Sequence, residues 1–418
     1  MTTRRAFLKS GGVALFSVAL GGNPLFIARA AAATRQRGKR KVLVAIFQRG
    51  AMDGLMAVQP LTDNHLLDAR PRLALSGAKS AGNSALIDLD GRFGLHPGFA
   101  PLAPMFAAGH LAVVHGVGSP DATRSHFDAQ DYMESGTPGN KGTSSGWLNR
   151  ATGLLGHDPG PFAAVALTPA LPRSLYGDVP ALAVADLNQL GINGKAGGKD
   201  DGIALPGFEA LYEQTTQKLL RGAGSESFEA VKMISSASLG STGPGHGAVY
   251  PEAPFGKAMR QIAQLIKADV GLEIAFAEIG GWDTHVQQGT SNGVFARRAE
   301  ELSRSIAVFW TDLGERQEDV VILTMTEFGR MVHENGSGGT DHGHASCLFV
   351  AGSGVKGGRV VGTVPELAPE ELYEGRDLPV TTDFRSVFAE VAGVHLGITD
   401  DQAMFPGWTG GRISLMGS

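Results

Sequence analysis

The feature that most constrains this chain is a set of short, uninterrupted apolar runs, each stopping at glycine or a polar loop. Val42–Phe47 reads VLVAIF, Leu111–Gly118 reads LAVVHGVG, Val320–Met325 reads VVILTM and Cys347–Gly352 reads CLFVAG. Apolar residues at every position, rather than every second one, mark strands buried on both faces, as in parallel sheets covered by helices. Shorter runs at Pro161–Leu167, Ala181–Asp186 and Leu272–Gly280, with GRVVG further on, predict more strands. Between them Phe255, Met259, Ile262 and Ile266 fall at helical spacing, as do Phe295, Leu302, Ile306 and Phe309. Ser119 or Asp121 is placed to cap a helix through ATRSHFDAQDYM, and a last helix runs through DFRSVFAEVAG. Strand and helix alternate without an internal repeat. That predicts an α/β fold, a three-layer sandwich with a largely parallel central sheet. Glycine, at 59 of 418 residues, suits the many tight turns such strand ends need.

Composition removes several function classes. Lys and Arg total 36 against 41 Asp and Glu, so nothing calls for nucleic acid. The start, TTRRAFLKSGGVALFSVALGG, sets Arg4 and Arg5 ahead of an apolar stretch of about a dozen residues, too short to span a bilayer. ARAAAA then offers small-residue cleavage positions from Ala30. This predicts a twin-arginine export signal over residues 1–33, a single domain over 34–418, and a periplasmic or secreted protein with no membrane span after cleavage. Cys347, the one cysteine, lies inside an apolar run and reads as a small buried hydrophobe, leaving no internal disulfide. From Asn188 to Val249 the texture turns rich in Gly, Lys and Ser, including GKAGGKDDG, and reads as a cap or insertion.

Candidate ligands collect beside the strand-like runs. Asp53 follows the first, Asp283 and His285 follow the run ending at Gly280, and Glu327 follows VVILTM. Asp341, His342 and His344 instead stand just before a strand, in GGTDHGHASCLFVAG. Open parallel sheets bind ligands outside the carboxyl ends of their strands, so distant residues can converge there. Carboxylates with imidazoles suit one or two ions of zinc, manganese or iron. Asp341 could orient a histidine rather than bind. Each residue also has a plainer reading: an Asx turn for Asp53, a cap and a packed ring for Asp283 and His285, an ion pair with Arg330 for Glu327, and a solvated glycine-rich turn for TDHGH. In SPDATRSHF, Ser119, Thr123 and Ser125 are candidate nucleophiles at a helix start, with Ser125 set ahead of Thr123, and Arg124 could grip an anionic group.

These segments together, VLVAIFQRGAMDGL, ATRSHFDAQDYMESG, GGWDTH, TMTEFGR and GTDHGHASCLFVAG, resemble the DUF1501 family of exported bacterial proteins across essentially the whole mature chain. The resemblance implies the alkaline phosphatase and sulfatase superfamily: an alkaline-phosphatase-like fold, a one- or two-metal site, a Ser or Thr nucleophile, and a small anionic ester as substrate. It places Asp53 as the first-strand aspartate, Asp283, His285 and His342 at one metal, and Glu327 near a second. Phe328 stands where the superfamily has a histidine, so the second ion would be weak, absent, or served by His344 or His126. A formylglycine made from cysteine is excluded, because Cys347 lies elsewhere. The alternative is a degenerate member that binds a ligand or partner without turnover. A nicotinamide-dependent oxidoreductase fits poorly, since QRGAMDGL lacks the G-x-G-x-x-G turn.

Overall fold

A computed structural model describes residues 40–77, 82, 84–160, 162–187 and 243–417. The expected export signal and nearly all of the expected insertion, residues 188–242, lie outside these residues.

The apolar runs form the strands expected of them. They are β1 (Val42–Gln48), β2 (Leu111–Gly118), β3 (Ala164–Ala166), β4 (Leu182–Ala183), β5 (Ile274–Ile279) and β6 (Val320–Met325). A hairpin of β7 (Arg330–Glu334) and β8 (Thr340–His342) follows. Then come β9 (Ser346–Gly352), β10 (Arg359–Val361) and β11 (Thr382–Asp383). The main sheet runs β10-β2-β9-β6-β1-β5-β3-β4, with β11 extending β2. β1 pairs in parallel with β5 and β6, burying all seven of its side chains. β9 alone in this sheet runs antiparallel to both its neighbours.

That reversal explains why DHGH precedes its strand. The start of an antiparallel strand lies at the edge where the parallel strands end, so β9 enters the sheet at its carboxyl edge. Loops after β1, β5 and β6 and the loop before β9 therefore share one edge, the one where such sheets bind ligands.

Helices cover both faces. Val42, Val44 and Ile46 of β1 pack with α3 (Pro254–Lys267) and α4 (Val294–Leu313), through Phe255, Met259, Ile262, Phe295, Leu302, Ile306 and Phe309. Leu43, Ala45 and Phe47 face the other way, against Trp147 and α5 (Phe384–Leu396). The period-two alternation of β1 thus feeds two cores, one per face. Burying the five large apolar side chains of this strand, Val42, Leu43, Val44, Ile46 and Phe47, stabilises by about 1.5–3 kcal/mol each before chain entropy is subtracted. Two short helices serve the site: α1 (Gly54–Ala57), straight after β1, and α2 (His126–Ser135), after β2. α2 begins later than its sequence suggests. Ser119 and Asp121 spend their side chains on the backbone N–H groups of Asp121 and Thr123, a local turn that holds the chain extended until Ser125. No helix among the described residues is long and apolar enough to cross a membrane.

Candidate metal centre

In the segment after β5, Asp283 and His285 bring their side chains together while Thr284 Oγ1 donates to Gln288 Oε1. His285 Nε2 lies 3.1 Å from Asp283 Oδ1. His342, at the end of β8, brings its own Nε2 to 2.9 Å from His285 Nε2 and 3.3 Å from Asp283 Oδ1. His126, the first residue of α2, places Nε2 3.5 Å from Asp283 Oδ2. Donor atoms of His126, Asp283 and His342 thus lie within 4.8 Å of one another, with His285 Nε2 beside them against Asp283 and His342. Those donors come from the loop after β5, the hairpin before β9 and the helix after β2.

The other nitrogen of each ring is held by an acceptor. His126 Nδ1 is 2.9 Å from Glu327 Oε1, His285 Nδ1 is 3.0 Å from Asp341 Oδ1, and His342 Nδ1 is 2.8 Å from the Arg124 carbonyl oxygen. A carbonyl or carboxylate can only accept, so each Nδ1 carries the proton and donates it. In the neutral ring Nε2 then presents a lone pair, and all three lone pairs face Asp283. His126 Nε2 is buried and has no hydrogen-bond partner. Facing lone pairs at such distances repel unless a proton or a cation sits between them. Donors around a first-row ion with bonds of about 2.0–2.1 Å stand roughly 3 Å apart, and the donor atoms of His126, Asp283 and His342 lie within 4.8 Å of one another. The donor set fits a divalent ion.

The surroundings set each charge. Burial opposes ionisation of Asp283, but the buried Arg330, 2.8 Å away through Nη1, outweighs it and holds the carboxyl below its usual range. Glu327 is wholly buried, which opposes its charge. The hydrogen bonds from His126 and Gln130 and from the Gly50 N–H outweigh that and keep it ionised. Its hydrogen bond in turn raises His126. Asp341 is lowered by its bonds to His285 and Asn335. Burial lowers His342, which is therefore neutral at neutral pH. Two glycines allow the close approach: Gly50, at φ +115°, where a Cβ would lie 2.6 Å from the Asp283 nitrogen, and Gly343, where it would lie 2.3 Å from the Arg330 carbonyl carbon.

Several residues singled out in the sequence have other tasks. Asp53 is buried away from the cluster. Its Oδ1 caps α1 at the Met56 N–H, and its Oδ2 receives Arg70 and Gln288, each at 2.8 Å. It is a structural carboxylate, the Asx-like reading extended by a buried ion pair. His344 also turns away, with Nε2 3.0 Å from the Ser119 carbonyl oxygen and its ring against Tyr373. The strand ends at His342 and the chain bends at His344, and the two histidines of HGH point to different neighbourhoods. Glu327 reaches the cluster only through His126, and Arg330 pairs with Asp283 rather than with Glu327. Arg124 is tied to Asp377 and Glu374. Thr123 Oγ1 accepts from the Ser125 N–H, while Ser125 Oγ makes no capping bond although Ser125 occupies the N-cap of α2. Phe328 packs its ring 5.0 Å from both His126 and His342, an apolar wall where the resemblance expects a ligand for a second ion. Sequence reasoning missed the Arg124 carbonyl, Gln130, Asn335 and Asp377; a backbone acceptor and distant polar partners leave no local pattern to find.

No curated protein matches the chain. A family model described as "Protein of unknown function (DUF1501)" matches residues 106–405, which takes in β2, α2, the loop after β5, Glu327 and the β7–β8 hairpin. The chain therefore belongs to the DUF1501 family.

Proposed function

We propose that this protein is an exported, divalent-metal-dependent hydrolase of phosphate or sulfate esters, built on an alkaline-phosphatase-like fold. The observation that carries the reading is the group His126, Asp283 and His342, whose donor atoms lie within 4.8 Å of one another, with His285 Nε2 against Asp283 and His342 and every Nδ1 already engaged. These four side chains would hold the ion, while Glu327, Asp341 and the Arg124 carbonyl orient the rings. The ion would be zinc, manganese or iron, and when bound it supplies Lewis acidity and lowers the pKa of an attacking hydroxyl or water.

The chain's own residues supply the rest. Ser125 directly precedes His126, and its hydroxyl is not spent on the helix it begins. It is the candidate nucleophile, ahead of Thr123, whose oxygen serves the Ser125 N–H. Attack by Ser125 would give a covalent ester that water then opens; direct attack by water is the simpler route. Loss of turnover in Ser125→Ala separates the two. Arg124 is positioned by carboxylates on the far side of the His342 bond and does not offer a free guanidinium.

The second reading is a binding protein that keeps one ion and does not turn over. Phe328 favours it, because its ring removes the space and the donor for a second ion. Elemental analysis of the mature protein, purified without chelator, tests both. One equivalent of metal in the parent and less than a tenth of that in Asp283→Ala/His342→Ala is the expected result. A folded parent without metal overturns the hydrolase and the metal-binding readings together.

A further inference from the structure

We infer that Gln288, a wholly buried residue outside the cluster, is the positioning residue that fixes two ligand-bearing segments against each other and so sets the centre's hold on its ion. The inference rests on the metal-dependent reading above and goes beyond it.

Asp283 and His285 lie in the loop after β5, whereas His342 ends β8. Thr284 stands between the first two, Thr340 stands two residues before the third, and both are buried. One backbone bond joins them, from the Thr340 N–H to the Thr284 carbonyl oxygen at 3.1 Å. Gln288 adds the side-chain link. Its Oε1 accepts from Thr284 Oγ1 at 2.7 Å and from Thr340 Oγ1 at 2.8 Å. A carboxamide oxygen has two lone pairs, and these two hydroxyls use both. The amide nitrogen donates to Asp53 Oδ2 at 2.8 Å. A carboxylate only accepts, so Asp53 dictates which end of the amide faces it and leaves the oxygen to the hydroxyls.

From Thr340 the bonds run on to the cluster. Thr340 Oγ1, having given its proton to Gln288, accepts from Arg330 Nε at 3.3 Å, and the Thr340 carbonyl oxygen accepts from Arg330 Nη2. Arg330 Nη1 then donates to Asp283 Oδ1 at 2.8 Å. Asp53, Gln288, Thr340 and Arg330 are all buried, so a lost partner in this chain of bonds leaves a polar group unpaired. The backbone seats Gln288 as well: its N–H donates to the Gly338 carbonyl oxygen at 2.9 Å, and its carbonyl oxygen accepts from the Phe295 N–H at 3.0 Å. Gln287, between the exposed Val286 and the buried Gln288, adopts φ +48°, a left-handed conformation disfavoured without glycine. A binding constellation must be held within about 0.5 Å of its working geometry, so the register between loop and hairpin decides affinity.

The test is zinc affinity of the folded protein, measured by competition with a chelator of known affinity, beside denaturant unfolding of each metal-free protein. Gln288→Met keeps the side chain's length and removes its bonds. Affinity should fall at least about tenfold, the loss expected for a group that orients metal ligands. Thr340→Val should lose several-fold, and Thr340→Ser, which keeps the hydroxyl, should stay within about twofold of the parent. A Gln288 with a structural task alone would lower stability and leave affinity where it was. That pattern in Gln288→Met and Thr340→Val, with zinc bound by the parent, overturns the inference and leaves the metal reading standing. Equal losses in Thr340→Val and Thr340→Ser overturn it too, because packing rather than hydrogen bonding would then be responsible. If Gln288→Met does not fold, the Thr340 pair decides alone. A parent that takes up no zinc overturns the metal reading, and this inference with it.

Discussion

Two sets of histidines in this molecule differ in what their second ring nitrogen meets. His96 and His115 are fully buried, and each has both ring nitrogens engaged. Nε2 lies 2.9 Å from the Thr290 oxygen in one and the Val58 oxygen in the other, while Nδ1 accepts from the Gly98 or Gly116 N–H. His126, His285 and His342 have Nδ1 engaged and Nε2 turned toward one another and Asp283. The first set is closed: neutral rings that complete the hydrogen bonding of the backbone. The second is open: the same chemistry at Nδ1, but nitrogens that the protein itself does not satisfy. The tautomer differs as well, with the proton on Nε2 in the closed rings and on Nδ1 in the open ones. A histidine's task is legible here from what its second nitrogen meets, and burial alone would have pointed to the wrong pair.

Breaking a member of the closed class should cost stability, and the largest effect belongs to the carboxylate that resembles the cluster most in sequence. Asp53 stands after β1 as Asp283 stands after β5, but Arg70, Gln288 and the Met56 N–H occupy both its oxygens. Arg70→Ala leaves that charge buried and unpaired, which should lower stability by about 3–5 kcal/mol. Denaturant unfolding would measure it, with metal binding by the folded fraction unchanged. A loss below about 1 kcal/mol would mean that Asp53 finds water, and that the closed class is less closed than its hydrogen bonds imply.

The next effect is a pH dependence. Burial pushes both His96 and His115 down to about 4. The unfolded chain binds a proton at each near pH 6.5 and the folded chain does not, so stability is full above that value. It falls as pH drops from 6.5 to 4, by at most about 3 kcal/mol per ring. Protonating Nδ1 would also break the bond from Gly116 or Gly98. His115→Gln should flatten the slope of stability against pH between 4 and 6.5 by about one proton's worth. An unchanged slope would assign the acid sensitivity to other groups.

Much of this was legible in the chain. Runs such as VLVAIF and VVILTM are apolar at every position because both faces of the sheet are covered, and the observed strands start and stop within a residue or two of them. Asp283, His285 and His342 could be named because loops at one sheet edge must converge. What escaped was orientation. HGH places two histidines two residues apart, but the bend at His344, with Gly343 packed on the Arg330 backbone, decides that His342 enters the cluster and His344 does not. Asp53 and Asp283 both follow strands, and only tertiary partners from residues 70 and 288 distinguish them. Glu327 lies beside the cluster in space yet reaches it through a histidine, because the His126 ring stands between its carboxylate and Asp283. Partners distant in sequence set each of these outcomes, and local pattern carries no record of them.

The smallest effect probes the open set where it is most exposed. Asp341 accepts from His285 Nδ1 at 3.0 Å and from Asn335 Nδ2 at 3.1 Å, and about half of its side chain is exposed. Asp341→Asn keeps the shape and, through its amide oxygen, an acceptor, but removes the charge that strengthens the His285 donor. Stability should change by less than about 0.5 kcal/mol, as for other exposed substitutions. Metal affinity should fall about tenfold, the lower end for losing a group that orients a ligand histidine. Competition with a chelator of known affinity, alongside thermal unfolding without metal, gives both numbers on one sample. His115→Gln run beside it should show the reverse pattern, lower stability with metal affinity retained. If Asp341→Asn instead lowered stability and left affinity intact, His285 would belong with His96 and His115 as a closed ring. The centre would then reduce to His126, Asp283 and His342, a set with one nitrogen fewer and correspondingly weaker hold on zinc.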